Sequence, residues 1–240
     1  MPKFLEPLVL PRASGYREAA YHAIKEGILS GYLAYGQPLI EEEIASQLNV
    51  SRTPVREALA ILQHEGLISP RNGRGFHVRQ LTREEFVTMF AANEVVEPYL
   101  VRLATLTATD MQLRAIQEAI EHGKAVAESG DLPRILRAGR DFHRAVGIAA
   151  GNAPLTQFVV NNEERTDLYL LSHEKILTML KIVPFNQEHE MIFNAIMQHD
   201  SEAAVRLAIY HSQAVRERLS PFFNVDEFQK MVALQEVLKE

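Results

Sequence analysis

The stretch "VSRTPVREALAILQHEGLI", residues 50–68, has an apolar helical stripe behind a polar and cationic start. Pro54 falls in the predicted first turn, where a missing backbone N–H costs little. Arg52 and Arg56 are four residues apart and therefore share one face of the helix. Gly66 marks its end. The stretch predicts a helix that presents two arginines at its exposed first turns.

The segments on either side of this helix predict a winged helix-turn-helix. Residues 14–30 and 40–50 carry the spacing of two earlier helices, and residues 31–39 between them indicate a turn. Residues 67–81, "LISPRNGRGFHVRQL", alternate around an Asn-Gly pair, which is typical of a two-stranded hairpin. We therefore assign residues 1–80 to a winged helix-turn-helix DNA-binding domain.

The rest of the chain predicts helices only. From residue 82 onward helix start and stop signals repeat without strand-like alternation. Helices are expected near residues 83–106, 109–129, 131–150, 153–181, 185–199, 201–220 and 225–238. The predicted fold class is mostly α, with an N-terminal winged helix-turn-helix followed by an all-α antiparallel helical bundle over residues 81–240. Residues 1–13 are expected to be a leader.

Composition narrows the class of protein. Apolar residues make up 47% of the chain and charged residues 23%, which favours a globular protein over a disordered one. The absence of cysteine excludes disulfides and thiolate metal sites. No stretch approaches the roughly 20 apolar residues that span a bilayer. We expect a cytoplasmic protein with no membrane partner.

Charge is distributed unevenly along the chain. The net charge is −6, yet residues 1–80 hold nine Lys and Arg against eight Glu, a net of +1, and residues 81–240 carry −7. Residues 51–79 hold five arginines and two glutamates. A local basic patch of this kind neutralises phosphates even on an acidic protein. Double-stranded DNA is therefore the expected partner of the first domain.

The start of the arginine-bearing helix has the residue types that read DNA. The second helix of a helix-turn-helix enters the major groove N-terminus first, and the guanidinium fork matches the O6 and N7 acceptors of guanine. Hydroxyl side chains beside the helix N-terminus can donate to phosphates. The alternative is that the two arginines lie on a solvated helix face and that Ser51 is only the N-cap of the helix. The predicted DNA-binding residues are Ser51, Arg52, Thr53 and Arg56, with Arg74 and Gly75 in the wing.

Two parts of the sequence resemble known families. Residues 31–78 resemble the N-terminal winged helix of the GntR superfamily of bacterial transcription regulators. The segments "FHRAVGIAAGN" and "EHEMIFNAIMQHDSEAAVRLAIYH" resemble the FCD-type effector domain of the FadR subfamily, so the likeness covers residues 15–220. The resemblance implies a ligand-responsive regulator that is a homodimer on a pseudo-palindromic operator. Residues 81–240 would then bind a small organic-acid effector and form the dimer.

Three of the nine histidines occupy positions where the resemblance implies metal ligands: His143, His189 and His211. His189 and His211 lie on consecutive predicted helices joined at Asp200, so both can face inward at one level of the bundle. Neutral imidazole suits a divalent transition metal, with zinc or nickel expected here. Water or an effector carboxylate would fill the open positions.

The sequence departs from the family pattern at two positions. The family commonly has an aspartate four residues before the first histidine, where this chain has Gly139. Asp141 lies about 200° around the helix from His143 and cannot easily share its metal. A position that is often arginine in the family is Asn93 here. The expected metal set is therefore three histidines, unless these are hydrogen-bonded core residues or the pocket binds its ligand without metal.

The polar residues that could contact an effector are Asn93, Arg102, Arg140, Asn152 and Arg165. The alternative is a purely structural role, in which the arginines are surface cations and Asn152 is a helix C-cap.

Two other functions compete with a ligand-responsive regulator. A metal-dependent hydrolase or lyase could use the histidines, but there is no His-Glu-x-x-His run. Glu188 and Glu190, which flank His189, are expected to point elsewhere on the helix. The other alternative is a DNA-binding protein whose bundle only dimerises and has no ligand.

Overall fold

The computed structural model describes residues 13–71, 75–175, 177, 186–227 and 229–230. The described residues form two compact units, one reaching to Leu81 and including residues 167–172, and the other holding residues 82–166 and those from His173 onward. Most of the expected leader, Arg74 of the wing, residues 178–185 and residues 231–240, which include the end of the expected terminal helix, lie outside the described residues.

The first unit is a winged helix-turn-helix, as the sequence predicts. Its elements are α1 (Ala13–Leu29), β1 (Pro38–Leu39), α2 (Glu41–Leu48), α3 (Arg52–His64), β2 (Ile68–Pro70) and β3 (Phe76–Val78). The strands form one antiparallel sheet in the order β1-β3-β2. Ile24 of α1, Leu48 of α2 and Leu59 and Leu62 of α3 are fully buried in its core. Burial of this apolar stripe leaves the opposite face of α3 exposed.

Strand β1 lies in the stretch that the sequence indicated as a turn. Gly36 N donates to Val78 O at 2.8 Å, and Val78 N donates to Gln37 O at 3.0 Å, so the segment pairs with β3. Pro38 is tolerated there because a residue at the edge of a sheet need not donate. The predicted hairpin is therefore two strands of a three-stranded sheet. Because β1 has only two residues, it shows no alternating pattern in the sequence, and it is a strand only through its pairing with β3.

The second unit is helical, in agreement with the predicted class. Its helices are α4 (Arg83–Thr107), α5 (Asp110–Ala127), α6 (Leu132–Ala149), α7 (Ala153–Leu171, of which residues 153–166 belong to this unit), α8 (Asn186–Met197), α9 (Ser201–Arg218) and α10 (Ser220–Phe223). Helix α7 ends at Leu171, ten residues before the predicted limit, and the four-residue α10 was not predicted. None of the helices in the described parts of the chain is long and apolar enough to cross a membrane.

Side-chain caps define where the long helices begin. Thr82 and Thr109 each form a capping box, with a glutamate or glutamine three residues on returning to the cap backbone. Asp131 and Asp200 accept hydrogen bonds from the third residue of the helix that follows. These caps satisfy backbone N–H groups that a helix leaves without partners. They agree with the start signals in the sequence.

The helical core brings α6 together with α4, α5, α8 and α9. Leu100, Ile116, Phe142, Val146 and Ile192 come from four of these helices and belong to one buried cluster. Helix α6 also approaches α7 closely, since a Cβ atom at Gly147 would lie 2.6 Å from Thr156 Cγ2. This packing places the polar side chains of α6 against those of α7.

Candidate nucleic-acid interface and metal centre

The predicted DNA-reading residues share the exposed start of α3. Ser51, Arg52, Thr53 and Arg56 are all exposed, while Val55 is buried on the opposite side. Ser51 is the N-cap residue in an extended conformation, and its side chain makes no capping hydrogen bond in the part of the chain that is described. The first turn of α3 therefore presents two guanidinium groups, two hydroxyls and backbone N–H groups to solvent.

A glutamate that the sequence analysis missed holds both arginines. Glu41, at the start of α2, is 2.9 Å from Arg56 Nη2 and 3.4 Å from Arg52 Nη2, measured at its Oε2 atom. The Glu41 side chain is 17% exposed, against 58% for Arg52 and 63% for Arg56. Hydrogen bonding from Arg56 lowers the pKa of the Glu41 carboxyl. The run of three glutamates at the start of α2 was the available signal, but it does not show which one faces α3.

Of the two DNA-binding residues predicted in the wing, the described part of the structure includes Gly75. Gly75 has φ of +72° and precedes β3. A Cβ atom there would lie 3.2 Å from Leu39 O, so both the backbone conformation and the space favour glycine. Arg71 N donates to Gly75 O at 3.0 Å, which closes the base of the wing. Gly75 thus shapes the wing, and Arg74 lies outside the described residues.

The three predicted metal-binding histidines meet inside the helical unit. His143 comes from α6, His189 from α8 and His211 from α9, with ring centroids 4.7 to 5.5 Å apart. One nitrogen from each ring lies within 4.8 Å of the others. His189 and His211 are buried, and Phe142 stacks on the His189 ring at 3.9 Å. The three side chains therefore form a cluster that could hold one metal ion.

Burial keeps two of these imidazoles neutral. Desolvation lowers the pKa of His143 to about 3, with a smaller contribution from His211. Desolvation also lowers the pKa of His189 well below its ordinary value, assisted by His211 and His143. A neutral imidazole has a lone pair to offer, whereas an imidazolium has none. His143 and His189 are thus held in the protonation state that binds metals.

Two glutamates flank His143, and the sequence analysis identified neither. Glu97 Oε2 of α4 is 3.5 Å from His143 Nδ1, and Glu163 Oε1 of α7 is 3.7 Å from His143 Nε2. Glu97, His143 and Glu163 form a second group whose potential ligand atoms lie within 4.8 Å of one another. Burial, and then repulsion by Glu94, raises the pKa of Glu97 to about 8. Carboxylates are therefore present beside the histidines despite Gly139.

Glu188 contacts the cluster, contrary to the expectation that it would point elsewhere. Its Oε2 atom is 3.4 Å from His211 Nδ1, and Arg218 binds its two oxygens at 2.7 and 2.8 Å. Burial alone would raise the pKa of Glu188, but hydrogen bonds from His211 and Arg218 lower it to about 2. The expectation considered α8 alone and missed the partners that α9 supplies. A carboxylate at Nδ1 orients an imidazole so that Nε2 can bind a metal.

The two aspartate-related expectations concern α6. A Cβ atom at Gly139 would have no atom within 4 Å, so the position is open. Asp141 Oδ1 accepts a hydrogen bond from Arg144 at 3.1 Å, and Asp141 is in neither of the potential metal-binding groups of the described residues. The structure thus places Asp141 in a surface ion pair.

Three of the proposed effector-binding residues lie in the polar interior of the helical unit. Asn93 is buried, donates to Val159 O at 3.3 Å and accepts from Asn162 Nδ2 at 3.0 Å. Asn93 also hydrogen-bonds the Glu97 carboxyl, which links it to the surroundings of His143. Arg165 hydrogen-bonds Asn162. Arg140, on the same helix as His143, is 5% exposed.

The other two candidates do not join this interior. Arg102 is exposed on α4. Asn152 Oδ1 accepts a hydrogen bond from Leu155 N at 3.2 Å, so Asn152 caps the start of α7. The interpretation of Asn152 as a helix C-cap is wrong, since Ala150 is the C-cap residue of α6.

Comparisons with known proteins agree with both units. Residues 16–78 match the family described as bacterial regulatory proteins, gntR family, and residues 88–214 match the FCD domain. A probable D-xylose utilization operon transcriptional repressor of Paenarthrobacter nicotinovorans is 32% identical over 78% of this chain and 81% of its own length. The Nta operon transcriptional regulator of Aminobacter aminovorans is 31% identical over 65% of this chain and 77% of its own length.

Solved structures support the fold. E. coli McbR/YncC superposes with a TM-score of 0.72 and 22% identity, covering 87% of this chain and 99% of that chain. A putative transcriptional regulator GntR from Rhodococcus sp. RHA1 gives a TM-score of 0.69 and 23% identity, with the same coverage. At this level of identity the likeness shows the arrangement of helices and strands alone.

Proposed function

Because the chain belongs to the gntR family of bacterial regulatory proteins and contains an FCD domain, we propose that it is a transcription regulator whose DNA affinity responds to a small organic acid. That it is a transcription regulator follows from the family, whose matched members are regulators rather than enzymes. The response to an effector, the metal and the residues that act are the proposed part. We place the protein in the cytoplasm and in the FadR subfamily.

The proposed DNA-binding surface is the exposed start of α3. Arg52 and Arg56 read guanine edges in the major groove, while Ser51 and Thr53 contact phosphates beside the helix N-terminus. A homodimer presents two copies of this helix to a pseudo-palindromic operator. The proposal is supported by the shared exposure of the four side chains and by the ion pairs from Glu41 that orient the two arginines.

The proposed effector site is a divalent metal held by His143, His189 and His211. The observation that carries it is the convergence of three imidazoles from three helices, with one nitrogen of each within 4.8 Å of the others. These residues fit zinc or nickel, since nitrogen ligands suit both and the glutamates beside His143 and His211 can orient the rings. A bound metal supplies a Lewis-acidic position for an effector carboxylate. Arg140, which precedes His143 on α6, is a buried cation.

Elemental analysis of the purified full chain is the first test. It should find one zinc or nickel per chain, which a strong chelator removes and added metal restores. A thermal-shift screen of small organic acids should then find at least one that raises Tm in the loaded protein and not after chelation. The same acid with the same shift in both forms would mean that the site binds its ligand without metal. No shift with any acid would favour a bundle that only dimerises.

A further inference from the structure

Glu188 of α8 links the histidine cluster to the last residue of α9. Its Oε2 atom is 3.4 Å from His211 Nδ1 and accepts a hydrogen bond from Arg218 Nη2 at 2.8 Å. Its Oε1 atom accepts a hydrogen bond from Arg218 Nη1 at 2.7 Å. Two hydrogen bonds to one carboxylate fix the guanidinium in orientation as well as in position. The position of the His211 ring and that of Arg218 are therefore connected through one side chain.

Helix α10 follows α9 without an intervening loop. Leu219 is the C-cap residue of α9 and also the N-cap residue of α10, which begins at Ser220. Leu219, Pro221 and Phe222 are all buried, so apolar side chains hold this short helix in place. Because Arg218 is next to Leu219 in the chain, a displacement of Arg218 is passed directly to α10.

Arg83, the first residue of α4, binds the end of α10. Its Nη1 atom donates to the carbonyl oxygens of Phe222 at 3.2 Å and Phe223 at 3.1 Å. The last carbonyl groups of a helix have no partner within the helix, and a guanidinium can supply one. The rings of Phe222 and Phe223 also lie 5.9 and 5.4 Å from the ring of Phe86. Polar and aromatic contacts thus join α10 to the start of α4.

The start of α4 is where the helical unit follows the winged helix-turn-helix unit in the chain. Thr82 is the N-cap residue of α4, and the first unit reaches to Leu81. We propose that Arg218 and Arg83 are positioning residues that connect the state of the metal-binding His211 to the order of the first two turns of α4. The inference rests on the proposed metal site. It adds the contacts by which that site acts on the residues next to the DNA-binding unit in the chain.

Metal binding would restrain this connection from the side of the histidines. An imidazole that binds a metal through one nitrogen usually donates from the other to a carboxylate, carbonyl or water, which fixes the orientation of the ring. Glu188 is in that place at His211 Nδ1. With the ring held, the pair of Glu188 and Arg218 loses freedom of movement, and a loss of motion can couple two sites without a change of structure. Local opening of α10 and of the start of α4 should therefore become rarer.

The test is amide hydrogen exchange of the full-length protein, with and without saturating zinc, in peptides covering residues 82–90 and 219–227. Zinc should slow exchange in both peptides of the wild type by about 5-fold or more, the lower end of the usual coupling between two sites. In Arg218→Gln, with its zinc content verified by elemental analysis, the slowing should be lost from both peptides. In Arg83→Gln it should be lost from residues 82–90 only, and calorimetry should show unchanged zinc affinity.

Arg206→Gln is the matched control. It removes the same charge from an exposed position of α9 whose partner, Glu202, lies on the same helix. This variant should respond to zinc as the wild type does. Arg83→Lys keeps the charge of Arg83 without its guanidinium fork, so residues 82–90 should show an intermediate response. It gives the same comparison if Arg83→Gln does not fold.

The outcomes separate the inference from the metal site on which it rests. If the wild type binds zinc but exchange slows only in α6, α8 and α9, the connection to α4 is wrong and the metal site stands. Slowing at residues 82–90 that persists in zinc-loaded Arg218→Gln or Arg83→Gln would equally overturn the connection. Absence of zinc binding by the wild type would remove the metal site, and the inference with it.

Discussion

Arg56 of α3 and Glu41 of α2 form an ion pair in which Arg56 donates from both Nε and Nη2. The Nη2 atom is 2.9 Å from Glu41 Oε2, and Nε is 3.1 Å from the same oxygen. The Arg56 side chain is still 63% exposed, so the outer edge of its guanidinium remains available to a partner. A guanidinium held on one side loses less conformational entropy when it binds a base on the other. Glu41 thus orients the side chain that we assign to base reading.

Replacing Arg56 should mainly reduce sequence-specific binding. Arg56→Ala removes a fork that matches O6 and N7 of guanine, so operator affinity should fall about 10–100-fold while affinity for a scrambled duplex falls much less. Arg52→Ala should act in the same direction. The measurement is fluorescence-anisotropy titration of both duplexes at one salt concentration. Arg114→Ala, an exposed arginine of α5, is the control and should change neither affinity. If Arg56→Ala leaves the ratio of operator affinity to scrambled-duplex affinity unchanged, the assignment of α3 as the DNA-reading helix is wrong.

Removing the charge of Glu41 should weaken discrimination by a different route. In Glu41→Gln both arginines lose their ionic partner and can reach phosphates, and one repulsive carboxylate leaves the DNA-facing surface. Affinity for the scrambled duplex should rise, so the ratio of operator to scrambled affinity should fall. The salt dependence of nonspecific binding should become steeper, because more phosphate contacts release more counterions. Titrations across a salt series measure both effects.

Glu42→Gln is the matched control for that experiment. Glu42 is the next residue of α2, carries the same charge and is exposed. If Glu41→Gln and Glu42→Gln change the ratio equally, the effect is one of net charge, and the orienting role of Glu41 is wrong.

The symmetry of the complex should appear in the operator. A homodimer that presents two copies of α3 should protect two inverted half-sites separated by about one helical turn or a multiple of it. Hydroxyl-radical footprinting gives the spacing directly, and light scattering of the complex gives the number of chains. Protection of one half-site by a single chain would contradict the dimeric arrangement.

Effector binding should depend on both the metal and the DNA. His189→Ala removes one of three imidazoles, so calorimetry should show that an acid identified by thermal shift binds this variant much more weakly. Operator DNA should weaken effector binding to the wild type by the factor by which the effector weakens operator binding, typically about 5–150-fold. His64→Ala, in the exposed last turn of α3, is the control in the absence of DNA. If the effector binds His189→Ala and the wild type with the same affinity, the metal has no part in effector binding.

The buried site predicts how pH changes the stability of the metal-free protein. The pKa of His143 is about 3 when folded, below its value of about 6.5 when unfolded, so this residue contributes stability above pH 6.5 that is lost as pH falls toward 3. His189, whose pKa is also lowered, acts in the same direction. Glu97 acts in the opposite direction. Its pKa of about 8 when folded lies above the unfolded value, so its contribution is lost as pH rises from about 4.5 through 8.

Together these groups should give the metal-free protein greatest stability near pH 6.5. Below that pH the stability lost through His143 and His189 exceeds the stability gained through Glu97. Above it, only Glu97 still changes protonation, so stability falls. Thermal unfolding after chelation, measured from pH 5 to 9, should therefore show a maximum. Glu97→Gln should abolish the decline on the alkaline side, and a decline that persists unchanged would show that Glu97 is not its source.

Much of the fold was predictable because its determinants are local. The apolar stripe and the exposed arginines of α3 are contained within residues 50–68, and Thr82, Thr109, Asp131 and Asp200 mark helix starts within a few residues. The three-stranded sheet was only partly predictable. The two residues of β1 carry no pattern of their own, and their pairing depends on β3, more than thirty residues later in the chain.

The sequence by itself determined the order of the long helices and the winged helix-turn-helix, since each follows from local periodicity or turn residues, and its resemblance to a known family singled out the three histidines. Only the tertiary structure decided which charged groups surround them. Glu41 meets Arg56, Glu163 meets His143 and Glu188 meets His211 across separate helices, at distances of 2.9, 3.7 and 3.4 Å. No helical spacing relates such partners. Packing of one helix against another sets these contacts, and the electrostatics of both sites depend on them.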